Sequence, residues 1–262
     1  MKGFLFITLI HLILRIWAIP RQFDNGKNEE RIVGGNTTTV ERFPYIVQLY
    51  HANRRWGGAS ILSPCWVITA GHCTYGEDIS NITLRAGASE SNQTARTPIT
   101  LAEIFLHPLY NDTTLDYDIS ILRLNEDLVF GTTISPVSLP PPDIVLPAGT
   151  WATVAGWGDL ADGGPGSTQL QAVTVPIISN EECIRLYAIN DTGVIITDRL
   201  LCALYAPGGR DACNGDSGGP LTVNGVLYGL VSDGLGCADP RYPGTYTSVS
   251  NLRSFIEEVT GL

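Results

Sequence analysis

Residues 32–262 predict an all-β fold, and three observations carry the prediction. Short runs that are β-branched, or that alternate apolar with polar residues, recur throughout this segment. Gly, Pro, Asn and Asp separate the runs, and the whole chain contains 28 Gly and 16 Pro. A hydrophobic content of 44% excludes a disordered chain. Short strands between turn residues are typical of a barrel or a sandwich.

The predicted elements follow in chain order. The clearest strands are residues 46–50, 66–69, 119–124, 150–154 and 226–231. The proline-rich stretch 136–147 predicts a crossing between two halves of the fold. One helix is predicted at the end of the chain, with Asn251 as its N-cap. Its apolar face consists of Leu252, Phe255, Ile256 and Val259.

Length and charge bound the class of protein. The 262 residues can bury a sizeable core in one or two domains. The chain has a net charge of −10, and residues 32–262 contain 11 Arg, no Lys and 23 acidic residues. Such acidity disfavours nucleic acid and anionic membranes as partners, and it favours cationic substrates.

The N-terminal 31 residues predict two segments that precede the domain. Residues 1–19 begin with Lys2, continue through an apolar run over 4–14 and end near Ala18, as in a secretory signal peptide. A membrane anchor is disfavoured because Arg15 interrupts the run, and a span needs ~20 apolar residues. Residues 20–31 are polar, which suits an exposed segment open to cleavage.

A motif near the end of the chain indicates the chemistry. Residues 211–220 read Asp-Ala-Cys-Asn-Gly-Asp-Ser-Gly-Gly-Pro, with Ser217 at the centre of a G-x-S-x-G pattern. An α/β-hydrolase elbow has this pattern too, but it needs a His after the serine. The four histidines are His11, His51, His72 and His107, so the hydrolase alternative is excluded. The run instead resembles the active-site signature of the trypsin/chymotrypsin family of serine endopeptidases.

The resemblance covers residues 32–262 and implies two antiparallel β-barrels with the active site between them. His72 lies in Thr-Ala-Gly-His-Cys, and Asp118 lies in Tyr-Asp-Ile-Ser-Ile-Leu, which match the family's histidine and aspartate motifs. Ser217 is then the nucleophile, His72 the proton shuttle and Asp118 the residue that fixes the imidazole tautomer. Asp116 is a nearby competitor, but only Asp118 immediately precedes the Ile-x-Ile-Leu strand. His51 and His107 match no catalytic motif.

The resemblance also implies an oxyanion hole and an activation step. Backbone N–H groups of Gly215 and Ser217 would bind the developing oxyanion. Cleavage after Arg31, which is itself followed by Ile-Val-Gly-Gly, would free an ammonium group at Ile32. That ammonium would pair with Asp216 and shape the pocket, because a buried carboxylate without a partner is costly. Residues 20–31 would be the activation pro-segment and 32–262 the protease domain.

The family's specificity pocket maps onto four positions. Asp211 would form its floor, Gly234 and Gly244 would line its walls, and Tyr246 would close its far end. An acidic floor implies cleavage after Arg or Lys. The chain departs from the family's Ser-Trp-Gly, since it reads Ser-Asp-Gly at 232–234. Ser232 can still bind Asp118, while the second carboxylate at Asp233 favours basic groups beyond the cleaved residue.

The chain contains six cysteines. The resemblance implies disulfides Cys183–Cys202 and Cys213–Cys237. The usual partner of Cys73 would lie at position 57, which is glycine here. Cys65 remains, but an extended strand over 66–69 would hold it beyond bridging distance of Cys73. Two disulfides and two unpaired cysteines are therefore expected.

Two further features concern modification and metals. Sequons for N-glycosylation begin at five positions, which are Asn36, Asn81, Asn92, Asn111 and Asn190. The family's calcium loop would fall near residues 85–95, where Glu90 is the single acid, so no metal site is expected.

The sequence as a whole predicts a secreted, trypsin-like serine endopeptidase that needs no cofactor. We expect a monomeric, digestive enzyme, with protein or peptide substrates carrying Arg or Lys at the cleaved position, and with protein inhibitors of serine proteases as further partners. An inactive homologue that acts as a binding or regulatory protein is the alternative. Asp233 and the missing disulfide partner at Gly57 keep that alternative open.

Overall fold

A computed structural model describes residues 32–92, 98–189 and 192–262. The predicted signal peptide, the pro-segment with Arg31, and the sequon at Asn190 lie outside the described residues. Within the described ranges the chain forms thirteen β-strands and two α-helices. No helix in these ranges is long and apolar enough to cross a membrane.

Six strands form the first barrel and seven belong to the second. The bounds in chain order are β1 Asn36–Thr37, β2 Ile46–His51, β3 Arg54–Ile61, β4 Trp66–Thr69, β5 Ile82–Ala86, β6 Ile99–Leu106, β7 Ser120–Leu124, β8 Trp151–Gly156, β9 Gln171–Ile178, β10 Leu200–Ala203, β11 Pro220–Val223, β12 Val226–Asp233 and β13 Gly244–Ser248. All five predicted strands are present, and β12 extends two residues beyond its predicted end.

The first barrel is a closed ring in the order β2-β3-β4-β7-β6-β5, with antiparallel neighbours. Alternate residues point inward, as the pleat of a strand requires. Val47, Leu49, Ile61 and Leu122 are among the wholly buried residues of its core. Closure leaves these strands without free edges.

The second barrel runs β8-β9-β10-β13-β12-β11 and returns to β8, while the short β1 adds to β9. Its core includes Ile32, Val154, Leu221 and Tyr246, all without exposed surface. The structure therefore confirms both the all-β prediction and the two barrels that the resemblance implies.

A shared apolar cluster joins the two barrels. Ile68 and Ile121 come from the first barrel, and Trp157 and Leu230 belong to the second barrel's half of the chain. The connection between β7 and β8 contains the predicted crossing at 136–147. There the Val137 N–H donates to Ile61 O at 2.9 Å, and Leu227 N–H donates to Ser138 O at 2.9 Å. The proline-rich stretch thus contacts both halves, as predicted.

The two helices give one success and two corrections. Helix α2, Arg253–Thr260, follows the prediction and buries Phe255 and Ile256. The predicted N-cap at Asn251 is wrong, because its side-chain amide donates to the Asp198 carbonyl and Leu252 occupies the cap position without a side-chain bond. Helix α1, Asn180–Ile189, was not predicted.

Candidate active site

The loop that carries Ser217 packs against the first barrel, although it leads into strand β11 of the second barrel. The Gly58 N–H of β3 donates to Ser217 O at 2.8 Å, and Thr69 Oγ1 of β4 donates to Gly58 O at 2.8 Å. A side chain at Gly57 would collide with that same Ser217 carbonyl. Glycine at this position therefore lets the serine loop approach β3, the neighbour of the strand β4 that leads to His72.

His72 and Asp118 are joined by two contacts. The His72 backbone N–H donates to Asp118 Oδ1 at 2.8 Å, and His72 Nδ1 lies 2.8 Å from Oδ2. Asp118 is wholly buried. Two residues of the second barrel complete its surroundings, since Ser232 Oγ donates to Oδ2 at 2.7 Å and Thr247 Oγ1 donates to the Asp118 carbonyl at 2.7 Å. With Oδ2 accepting from Nδ1–H, the imidazole leaves Nε2 as the free base.

The pKa of His72 is set by opposing effects. Burial on its own would lower this pKa, but the neighbouring Cys73 sulfur and the Asp118 carboxylate favour the imidazolium. Together they raise the pKa of His72 well above its ordinary value. A more basic imidazole is suited to accept a proton from a serine hydroxyl.

The competing acid and the other histidines lie elsewhere. Asp116 forms an ion pair with Arg199 at 2.6 Å, which occupies its carboxylate. His51 Nε2 lies 2.5 Å from a Glu77 carboxylate oxygen. His107 stacks on Tyr117 with ring centroids 4.5 Å apart. Among the described residues, only Asp118 contacts His72 as a carboxylate partner.

Ser217 lines the pocket that also contains Asp211, and no hydrogen bond joins Ser217 to His72 among the described residues. Such catalytic bonds are often long without substrate and shorten in the complex. The Gly215 and Ser217 N–H groups, which the resemblance assigns to the oxyanion hole, have no acceptor within the described ranges. Their neighbours do, since the Asp216 N–H bonds Cys213 O and the Gly218 N–H bonds Val231 O. Gly215 adopts φ +87°, a backbone conformation that disfavours a side chain.

The pocket beside Ser217 has a carboxylate at its base. Asp211 is 7% exposed, and the Ala238 N–H donates to its Oδ2 at 3.0 Å. A Cβ at Gly244 would lie 2.8 Å from Asp211 Oδ1, and a Cβ at Gly234 would lie 3.8 Å from Gly244 Cα. Glycine at position 244 therefore keeps the space next to the carboxylate open. Burial raises the pKa of Asp211 to about 7, and no described cation forms an ion pair with it.

The chain is similar to known proteins over most of its length. Residues 32–256 match the family model described as Trypsin. The chain belongs to the trypsin family. It is 39% identical over 237 residues to Trypsin 5G1 of Aedes aegypti, covering 90% of this chain and 87% of the relative. It is 36% identical to Trypsin of Phaedon cochleariae, with 93% of each covered. A Vitellin-degrading protease of Bombyx mori is 37% identical over 87% of this chain and 85% of the relative.

Membership of the trypsin family makes this chain a serine endopeptidase, which acts on protein substrates. Its cysteines differ from the family pattern in the way that the sequence suggested. Disulfides join Cys183 to Cys202 and Cys213 to Cys237, while Cys65 and Cys73 are unbonded. Cys73 Sγ instead lies near Gly57, 3.4 Å from where a Cβ would stand. No three His, Cys, Asp or Glu side chains gather as a possible metal site within the ranges described.

Two residues of the site were missed by sequence reasoning. Thr247 contacts the Asp118 carbonyl from 129 positions away. Arg55 is half-buried, and its guanidinium donates to Trp157 O. Burial raises the pKa of Asp216, and the charge of Arg55 offsets part of that rise. The only signal for Arg55 was a charged residue two positions before Gly57 at the start of a barrel strand.

Proposed function

We propose that this chain is a secreted zymogen that becomes an endopeptidase cleaving after Arg or Lys once it is cut after Arg31. The observation that carries the specificity is Asp211, a buried carboxylate at the base of the pocket beside Ser217, with no cation of its own among the described residues. A buried carboxylate without a partner gains most from a ligand that brings a positive charge. A guanidinium can bind it through two parallel hydrogen bonds.

The proposed mechanism is acyl transfer through Ser217. His72 Nε2 takes the hydroxyl proton as Ser217 Oγ attacks the carbonyl carbon, and Asp118 stabilises the imidazolium through Nδ1. The unbonded N–H groups of Gly215 and Ser217 receive the oxyanion. The imidazolium then protonates the leaving amine, and water releases the acyl group by the same steps in reverse order.

The surroundings of Asp216 support the activation step. Its carboxylate is wholly buried and accepts from the Gly158 N–H at 2.7 Å and from the Cys213 N–H at 3.0 Å. Desolvation nevertheless raises its pKa to about 6. Ile32 is also wholly buried in the core of the second barrel. A new ammonium group at Ile32 would supply the buried carboxylate with a full counter-charge.

The disulfides and the predicted signal peptide indicate the biological setting. Two disulfides suit an oxidising, extracellular compartment, in agreement with the predicted signal peptide at 1–19. Digestion of protein is the setting we propose, with a monomeric enzyme that protein inhibitors of serine proteases would block. The Bombyx mori relative is named for the degradation of vitellin, which suggests a narrower substrate as the alternative setting.

The experiment compares peptides that differ only at the cleaved position, with Arg, Lys, Phe or Leu there. The enzyme is processed to begin at Ile32, and Ser217→Ala is the matched control. We expect cleavage of the Arg and Lys peptides alone, and none by the control. Preferred cleavage after Phe or Leu would overturn the proposed specificity, and activity in the control would overturn the proposed nucleophile.

A further inference from the structure

The strand that borders the specificity pocket has an open edge beside Ser217. Strand β12 pairs with β11 up to Leu230, and Val231 still bonds the backbone of Gly218 and Gly219. Beyond Val231, strand β12 pairs with β13 alone among the described strands, and there Asp233 faces Thr245. An extended peptide can add to such an edge through main-chain hydrogen bonds.

Asp233 stands in the middle of this edge. Its carbonyl accepts from Thr245 Oγ1 at 2.8 Å, which fixes its backbone, while its side chain is exposed. It lines the same pocket as Asp211 and Ser217. None of the arginines or histidines that the structure describes forms an ion pair with it.

The charges of the pocket and of its rim act on the same space. The pKa of Tyr187 is raised by burial and then by the charges of both Asp233 and Asp211. A third carboxylate lies near this pocket, since a Cβ at Gly236, which lines the pocket, would stand 3.1 Å from Asp162 Oδ2. The segment 32–262 has no lysine, and its 23 acidic residues outnumber its 11 arginines.

We propose that Asp233 is a second specificity determinant, which selects an Arg or Lys among the three residues that precede the cleaved residue. The substrate class is then an extended peptide segment with two or more basic residues. This inference rests on the proposed cleavage after Arg or Lys. Asp211 would bind the cleaved residue at the base of the pocket, and Asp233 would bind the second cation at the open edge.

The test uses peptides with Arg fixed at the cleaved position. At each of the three preceding positions, Arg is compared with citrulline, its neutral analogue of nearly equal shape. At one of these positions we expect the wild type to favour the Arg peptide over its citrulline counterpart by about fivefold in kcat/KM at low salt. This Arg-to-citrulline ratio should fall as salt is added. Asp233→Asn should reduce that ratio to about one. Asp127→Asn, which removes an exposed charge elsewhere, should keep the wild-type ratio.

Two results would overturn the inference. One is a wild-type enzyme with equal kcat/KM for the Arg and citrulline peptides at all three positions. The other is an unchanged ratio in Asp233→Asn. Both are distinct from failure of the proposed function, which would appear as indifference to Arg against Leu at the cleaved position itself.

Discussion

Ser232 donates a hydrogen bond of 2.7 Å to Asp118 Oδ2, the same oxygen that His72 Nδ1 approaches. Asp118 belongs to the first barrel's half of the chain, and Ser232 lies on β12 of the second. The bond therefore joins the two barrels at the point where the proposed mechanism requires His72 to face Ser217. Positioning within a fraction of an ångström matters to such a site.

The first prediction concerns this bond. Ser232→Ala should lower kcat/KM for an Arg peptide by about tenfold, because a hydrogen bond to a charged acceptor contributes roughly 1.5–3 kcal/mol. The measurement is steady-state kinetics on the enzyme processed to begin at Ile32. Ser80→Ala, which removes a hydroxyl that bonds only the exposed Asp78, is the control and should leave kcat/KM unchanged. Equal rates in the two variants would contradict the role of Ser232.

The second prediction concerns the acid limb of the rate. His72 acts as a base only when neutral, so kcat should fall as the pH drops through its raised pKa. Cys73→Ala removes one of the groups that raise this pKa, and the midpoint of the limb should move to lower pH. Cys65→Ala, which alters the other unbonded cysteine, should not move it. The measurement is the pH profile of kcat, and coincident profiles would show that Cys73 has no influence on His72.

The third prediction concerns the charge state of Asp211. Because burial raises its pKa to about 7, the empty pocket is largely neutral below that pH. Affinity for benzamidine, whose amidinium stays charged, should therefore weaken about tenfold per pH unit well below pH 7. The Asp211→Asn protein should bind benzamidine weakly at every pH. The measurement is calorimetry of the Ser217→Ala protein, and a flat profile from pH 5 to 8 would contradict the raised pKa.

The fourth prediction concerns stability and activation. Folding raises the pKa of Asp216 from 3.8 to about 6, so the folded single chain holds this proton more tightly than the unfolded chain. The free energy of unfolding should then fall by about 3 kcal/mol as the pH rises from roughly 4 through 6. Cleavage after Arg31 should remove this loss, because the ammonium of Ile32 favours the charged carboxylate.

Thermal unfolding of the Ser217→Ala protein, single-chain and cut, measures this effect. Cleavage should raise the melting temperature by more at pH 7.5 than at pH 5. Asp216→Asn carries no titrating carboxyl, so its gain from cleavage should not depend on pH through this residue. An equal gain at both pH values in the Asp216 protein would contradict the proposed pairing.

The sequence by itself determined the class of the fold and the identity of the candidate residues. Strand runs such as 66–69 could be predicted because alternation and β-branching are local properties, and α2 because its apolar face repeats within a few residues. The motifs around His72, Asp118 and Ser217 could be found because each motif is contiguous. The choice of Asp118 over Asp116 also followed from its immediate neighbours.

Only the tertiary structure decided which distant groups meet these residues. The Asp118 carbonyl meets Thr247, and Asp216 lies near Arg55. Each pair joins segments more than a hundred positions apart, so neither contact leaves a local pattern in the sequence. The same reason explains the wrong cap, since the Asn251 side chain bonds the Asp198 carbonyl, 53 positions away, and not the helix end. A hydrogen-bonding side chain is identified by its sequence, but its partner is chosen by what the fold brings within about 3 Å.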